Sequence, residues 1–184
     1  MTALLMQSNP FMVYMGQELG ERGMDEEGYS GRDGRTTIFD YWTLSSFVST
    51  DASALSLEQR YRRMLHIAGE SRAAYGGLFF DLIYVNRDAA LFDQNRLYAF
   101  LRRAADEMLL VVVNFADHPI GCSVNIPPHA FDFLRLHEGT FEADDLWSGE
   151  KRYVSLSPAT PVSMEVPGYG GRIYRIKLSA GQSC

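Results

Sequence analysis

Hydrophobic positions follow two different patterns along the chain, and the change falls at about Gly77. Before it, apolar stretches are few and widely spaced. Residues 1–8, MTALLMQS, predict the end of an apolar helix, and Asn9-Pro10 is a turn signal. FMVYM at 11–15 is apolar at every position, the pattern of a strand buried on both faces in a parallel sheet. Gly16, Gln17, Glu18 and Gly20 end that run in a polar turn of the kind that delivers side chains to a site. A glycine-rich, charged loop is expected from Glu18 to about Arg35, followed by an ordered aromatic stretch, TTIFDYW. Ser56 with Gln59 forms a capping box, with Glu58 favourable in the first turn. Leu57, Tyr61, Met64, Leu65 and Ala68 then recur at helical spacing, predicting a helix over 56–72 that is closed off by YGG at 75–77.

Beyond Gly77 the runs shorten. LFFDLIYV, LYAFLRRA, EMLLVVVNF, CSVNI, FDFLRL, RYVSL, VSMEV and RIYRIKL all read as strands. Turn residues separate them at Asn86-Arg87-Asp88, Asp117-His118-Pro119, Pro127-Pro128, His137-Glu138-Gly139 and Pro158. GYGGR at 168–172 reads as a hairpin, and Trp147 in DDLWSGE as part of a turn. Strands at this spacing over about 100 residues predict an antiparallel sandwich or barrel. The fold class is therefore α+β, with one region over 1–75 and a β-sandwich over 76–184.

Composition narrows the function classes. Apolar residues make up 46% of the 184, ample for a packed core. A net charge of −6 argues against nucleic acid, which needs clustered Lys and Arg; the one cluster, RYRR, fits the solvated face of a helix. No run approaches the roughly 18 apolar residues of a membrane span. No basic segment precedes the first apolar stretch, so no signal peptide is visible, and the compartment is left open. Cys122 and Cys184 lack disulfide or metal spacing and are expected to be free thiols. The four histidines have no ligand spacing, and Asp25-Glu26-Glu27 with Asp33 lacks the calcium-loop glycine, so no metal or other cofactor is implied.

The order of pieces resembles the alpha-amylase family of glycoside hydrolases. VYMGQELG, a loop, then GRTTIFDYW are similar to the family's eighth barrel strand and the loop after it. LEQRYRRMLHIAGESRAAYGG looks like the eighth barrel helix. LYAFLRRAADEMLLVVVNFADHPIGCSVNIP is similar to the core of its C-terminal Greek-key sandwich. The resemblance implies a fragment: the last barrel strand and helix, then the sandwich. A whole barrel needs about 200–250 residues, and only some 75 precede the sandwich here.

Retaining glycoside hydrolysis needs two facing carboxyl groups. In the family these lie on strands upstream of the GQE strand, so the resemblance carries no catalytic residue onto this chain. It does imply that Gln17, Glu18 and Arg35 approach the sugar site, with Tyr41 and Trp42 offering flat faces to a sugar ring. Read from the residues alone, Gln17 and Glu18 suit props at a barrel rim, and Tyr41 and Trp42 suit core. The implied partners are an alpha-glucan or maltooligosaccharide in the intact enzyme and the missing barrel portion. Residues 11–15, apolar and without neighbouring strands, are expected to be covered by the 56–72 helix, by the sandwich or across a homodimer. Set against this is a stand-alone, non-catalytic module that binds glucan or mediates protein contacts.

Overall fold

The computed structural model describes residues 1–6, 10–13, 16–20, 52–104 and 106–178. The chain divides into two units, Met1–Asn9 with Ile67–Cys184, and Pro10–His66. The first nine residues thus belong with the sheets, and the division falls at 66–67.

In the larger unit, the continuous apolar run of residues 108–113 becomes the body of a strand covered on both faces. Elements in chain order are α1 (Thr2–Met6), α3 (Arg72–Gly76), β1 (Leu78–Asp81), α4 (Ile83–Asn86), β2 (Leu97–Arg103), β3 (Glu107–Asn114) and β4 (Ile120–Val124). There follow α5 (Pro128–Leu134), β5 (Gly139–Asp145), β6 (Lys151–Leu156), β7 (Val162–Val166) and β8 (Gly170–Lys177). The helix α2 (Ala52–Glu70) begins in the smaller unit. Six strands form one sheet in the order β1-β2-β3-β8-β5-β6, and β4 pairs with β7 in a second. Every pairing between these strands is antiparallel.

Strand alternation sorts the side chains. Leu97, Ala99 and Leu101 of β2 and Met108, Leu110 and Val112 of β3 face the core, meeting Cys122 and Val124 of β4 and Val162, Met164 and Val166 of β7. Leu109 and Val111 are also buried, on the opposite face. Helix α3 packs against β2 and β3, and α1 against α3 and β2, which is why β3 needs no polar face. Each of the Leu, Val and Met side chains contributes on the order of 1.5–3 kcal/mol by leaving water.

The junction onto β1 is held by polar groups borrowed from the sheet. Ser71 caps α3, accepting from the Ala74 amide at 3.2 Å and donating to Glu107 Oε1 at 2.6 Å. Glu107 also accepts from the Ala73 amide at 2.9 Å. At the other end of α3, the buried Arg102 donates from Nε to the Ala73 carbonyl (2.8 Å) and from Nη2 to the Ala74 carbonyl (2.9 Å). A Cβ at Gly77 would sit 2.5 Å from the Ala73 carbonyl oxygen and 2.8 Å from that of Arg103, so only glycine lets the chain pass.

Several expectations need correction. FDFLRL is not a strand: Pro127 and Pro128 open α5, and Ala130, Phe131 and Leu134 form its buried stripe. LFFDLIYV stops as a strand at Asp81, whose Oδ1 accepts from the Ile83 amide at 2.7 Å and starts the turn α4. GTFEADD, expected in part to be a turn, is the strand β5. GYGGR is not a hairpin, because β7 and β8 lie in different sheets. Ser56 and Gln59 are interior to α2, which already includes Ala52, so they cap nothing.

In the smaller unit, residues 11–13 of the expected strand FMVYM carry no strand pairing, and Tyr14 and Met15 lie outside the described residues. A strand needs neighbours to satisfy its backbone, and no element described in this unit supplies one. Phe11 is exposed and Met12 is 84% exposed. Among the described residues, no helix is long and apolar enough to cross a membrane.

Cys122 is a buried free thiol, and burial pushes its pKa up to about 11. In a Cys184→Ser background, folded protein at pH 8 will therefore leave Cys122 unmodified by a thiol-disulfide reagent for hours, and urea will release one rapid equivalent. Prompt reaction of the folded protein would contradict the burial.

Candidate functional site

The sequence placed its candidates on the turn after residue 15 and the loop that follows. Gln17 and Glu18 lie on the single 3-10 turn Gln17–Leu19. Gly16 (φ 87°) and Gly20 (φ 78°) bracket it in left-handed conformations that other residues resist, so the two glycines fix where the turn begins and ends. Gln17 Nε2 donates to the Tyr61 hydroxyl of α2 at 2.8 Å, and Glu18 is half-buried. Arg35, Tyr41 and Trp42 lie outside the described residues.

The described residues do contain a charged cleft that the sequence reading missed. It has a volume of about 290 Å³ and is lined by Asp145, Glu150, Lys151, Arg152, Tyr153, Arg172 and Tyr174. Asp145, at the end of β5, is 2% exposed. Its Oδ1 accepts from the amides of Trp147 (3.0 Å) and Ile173 (3.3 Å). Its Oδ2 accepts from Ser148 Oγ (2.9 Å) and Arg172 Nη1 (2.9 Å). Burial opposes the charge on Arg172, but the hydrogen bond and charge of Asp145 outweigh it and hold the guanidinium above its ordinary pKa. Arg152 donates to the Tyr174 hydroxyl at 2.9 Å and lies 5.2 Å above its ring. Burial raises the Tyr174 phenol.

This arrangement fastens the β5–β6 turn to β8; it does not do acid–base work. With four donors on Asp145, no lone pair is left for a substrate, and Glu150 stands at the exposed rim. The signal that could have found it was the acidic pair Asp144-Asp145 ahead of Ser148 and Gly149, an aspartate-initiated turn. Trp147 is half-buried in that turn. Among the described residues no group of three or more His, Cys, Asp or Glu could hold a metal ion.

Neither a family model nor a curated protein matches the sequence. Solved structures do match. A noncanonic maltogenic alpha-amylase, AmyB from Thermotoga neapolitana, superposes with a TM-score of 0.60 at 14% identity, over 91% of this chain and 33% of its own. AmyP, in a complex with maltose, gives 0.62 at 13% identity over 99% of this chain and 34% of its own. The fold is that of the corresponding third of these structures. The alpha-amylase of Geobacillus thermoleovorans, complexed with acarbose, adds a TM-score of 0.54 at 12% identity, over 90% of this chain. The chain spans about a third of the length of these enzymes.

Proposed function

We propose that the chain is the C-terminal portion of an alpha-glucan-active glycoside hydrolase or transglycosidase of the retaining type, with the catalytic carboxylates on a barrel portion outside this polypeptide. Residues 1–75 are then the tail of that barrel and 76–184 its sandwich domain. The observation that supports this most is the unequal coverage: 91% of this chain superposes on the alpha-amylase AmyB, of which it accounts for only 33%. Maltose in the AmyP structure supports a maltooligosaccharide as the ligand class of the intact enzyme. The exposed Phe11 and Met12 suit a segment whose neighbours are barrel strands on another part of the protein.

The purified 184-residue chain is expected to release no reducing sugar from starch and no chromophore from a chromogenic maltoside. Co-expression with an alpha-amylase-type barrel fragment lacking its last strand and helix is expected to restore turnover. Turnover by the chain alone that is abolished by Glu18→Ala or Asp40→Ala would overturn the reading, because the reactive acids would then lie within it.

A further inference from the structure

We propose that the exposed aromatic cluster of Phe80, Tyr84, His129 and Phe133 is a surface platform for a neutral alpha-glucan chain. The inference rests on the alpha-glucan reading above. Phe80 is the half-buried hub, with ring centroids 6.3 Å from Tyr84, 5.4 Å from His129 and 6.0 Å from Phe133. Tyr84 and His129 are 5.7 Å apart, and the Tyr84 hydroxyl bonds His129 Nε2. Tyr84 is 53% exposed and Phe133 52%.

The rings are held in place before any ligand arrives. Tyr84 rides on α4, whose buried Asn86 donates to the Leu82 and Asn125 carbonyls at 2.8 and 3.0 Å and accepts from the Asn125 amide at 2.8 Å. His129 and Phe133 are four residues apart on α5, opposite the stripe that buries Ala130, Phe131 and Leu134. Little side-chain entropy is left to lose on binding.

The cluster's chemistry selects among occupants. It contains no Lys or Arg, and Asp81 and Asp132 flank it, so an anionic ligand is disfavoured. Burial, with the charge of Asp81 adding, raises the Tyr84 phenol, which stays a neutral donor and acceptor. Ring faces with a hydroxyl–imidazole pair between them match the CH faces and hydroxyl rim of a glucose unit. Four side chains fall well short of the roughly 20–30 residues a side of a stable protein interface.

Location completes the case. Phe80 pairs with Leu101, whose side chain is in the core, while Arg102, the next residue of β2, points to the opposite face and holds α3. The cluster and α3 thus lie on opposite faces of the sheet.

The test is retardation of the full chain in native gels containing glycogen, alongside gels containing a soluble β-glucan. The wild type is expected to be retarded by glycogen only. Tyr84→Ala with Phe133→Ala should weaken the interaction at least tenfold at an unchanged circular dichroism spectrum and melting temperature, with Tyr84→Phe intermediate. Glycogen binding that survives the double substitution overturns the platform and leaves the glucan reading standing. No binding to either polymer also overturns the platform, while the reconstitution experiment above decides that reading separately. Binding through these rings to the β-glucan instead overturns both.

Discussion

Arg102→Met will lower the stability of the chain by about 3 kcal/mol, since two charge-assisted hydrogen bonds are lost at about 1.5–3 kcal/mol each. At this chain length that is on the order of 10 °C in a thermal melt. Methionine keeps most of the apolar stem, so the loss reports the guanidinium. Its bonds to the Ala73 and Ala74 carbonyls satisfy the end of α3 at a buried position. Burial alone pushes the Arg102 pKa down, so the residue is kept charged against desolvation by these carbonyl partners. Arg103→Met is the control: its side chain is half-buried and its Nε has no partner. A loss below about 1 kcal/mol for Arg102→Met would show that the junction does not depend on this clamp.

Asp145→Ala will be comparably costly, about 3–5 kcal/mol, because breaking a buried pair strands its partner. Four donors lose their acceptor at once, two of them the backbone amides of Trp147 and Ile173. The pair adds a diagnostic. Arg172→Met in the Asp145→Ala background should cost far less than Arg172→Met alone, since the guanidinium has already lost its buried partner and keeps only the exposed Glu150 at 4.0 Å and the Glu165 carbonyl. Urea titration of the four proteins measures this, and strictly additive losses would contradict the coupling.

How much of this was legible depends on where the deciding interaction sits. The run at 108–113 announced a central strand because six consecutive buried positions leave an apolar record. Strand β5 left none: Ala143 and Asp145 are its buried positions, and Asp145 is a carboxylate made tolerable only by Arg172, 27 residues further on. The segment FDFL alternates like a strand, but the two prolines before it set the helical start, and burial of Ala130, Phe131 and Leu134 fits only the helical period. Ser56 looked like a cap from its neighbours alone, while the real cap, Ser71, depends on Glu107 across the fold. For residues 11–13, apolarity signalled burial, but a strand is a property of its partners as well. Of the site candidates, the turn at Gln17 was readable from its two glycines; its hydrogen bond to Tyr61 spans 44 residues and was not.

The position of β8 has a consequence for how the chain is made. Of the described strands, β8 comes last in chain order, yet it is inserted in the middle of the six-stranded sheet, bonded to β3 on one side and β5 on the other. Until residue 177 has emerged, two half-sheets wait with bare edges, open to aggregation and in need of chaperone cover. Synthesis halted before residue 170 would leave the two half-sheets without the strand that joins them.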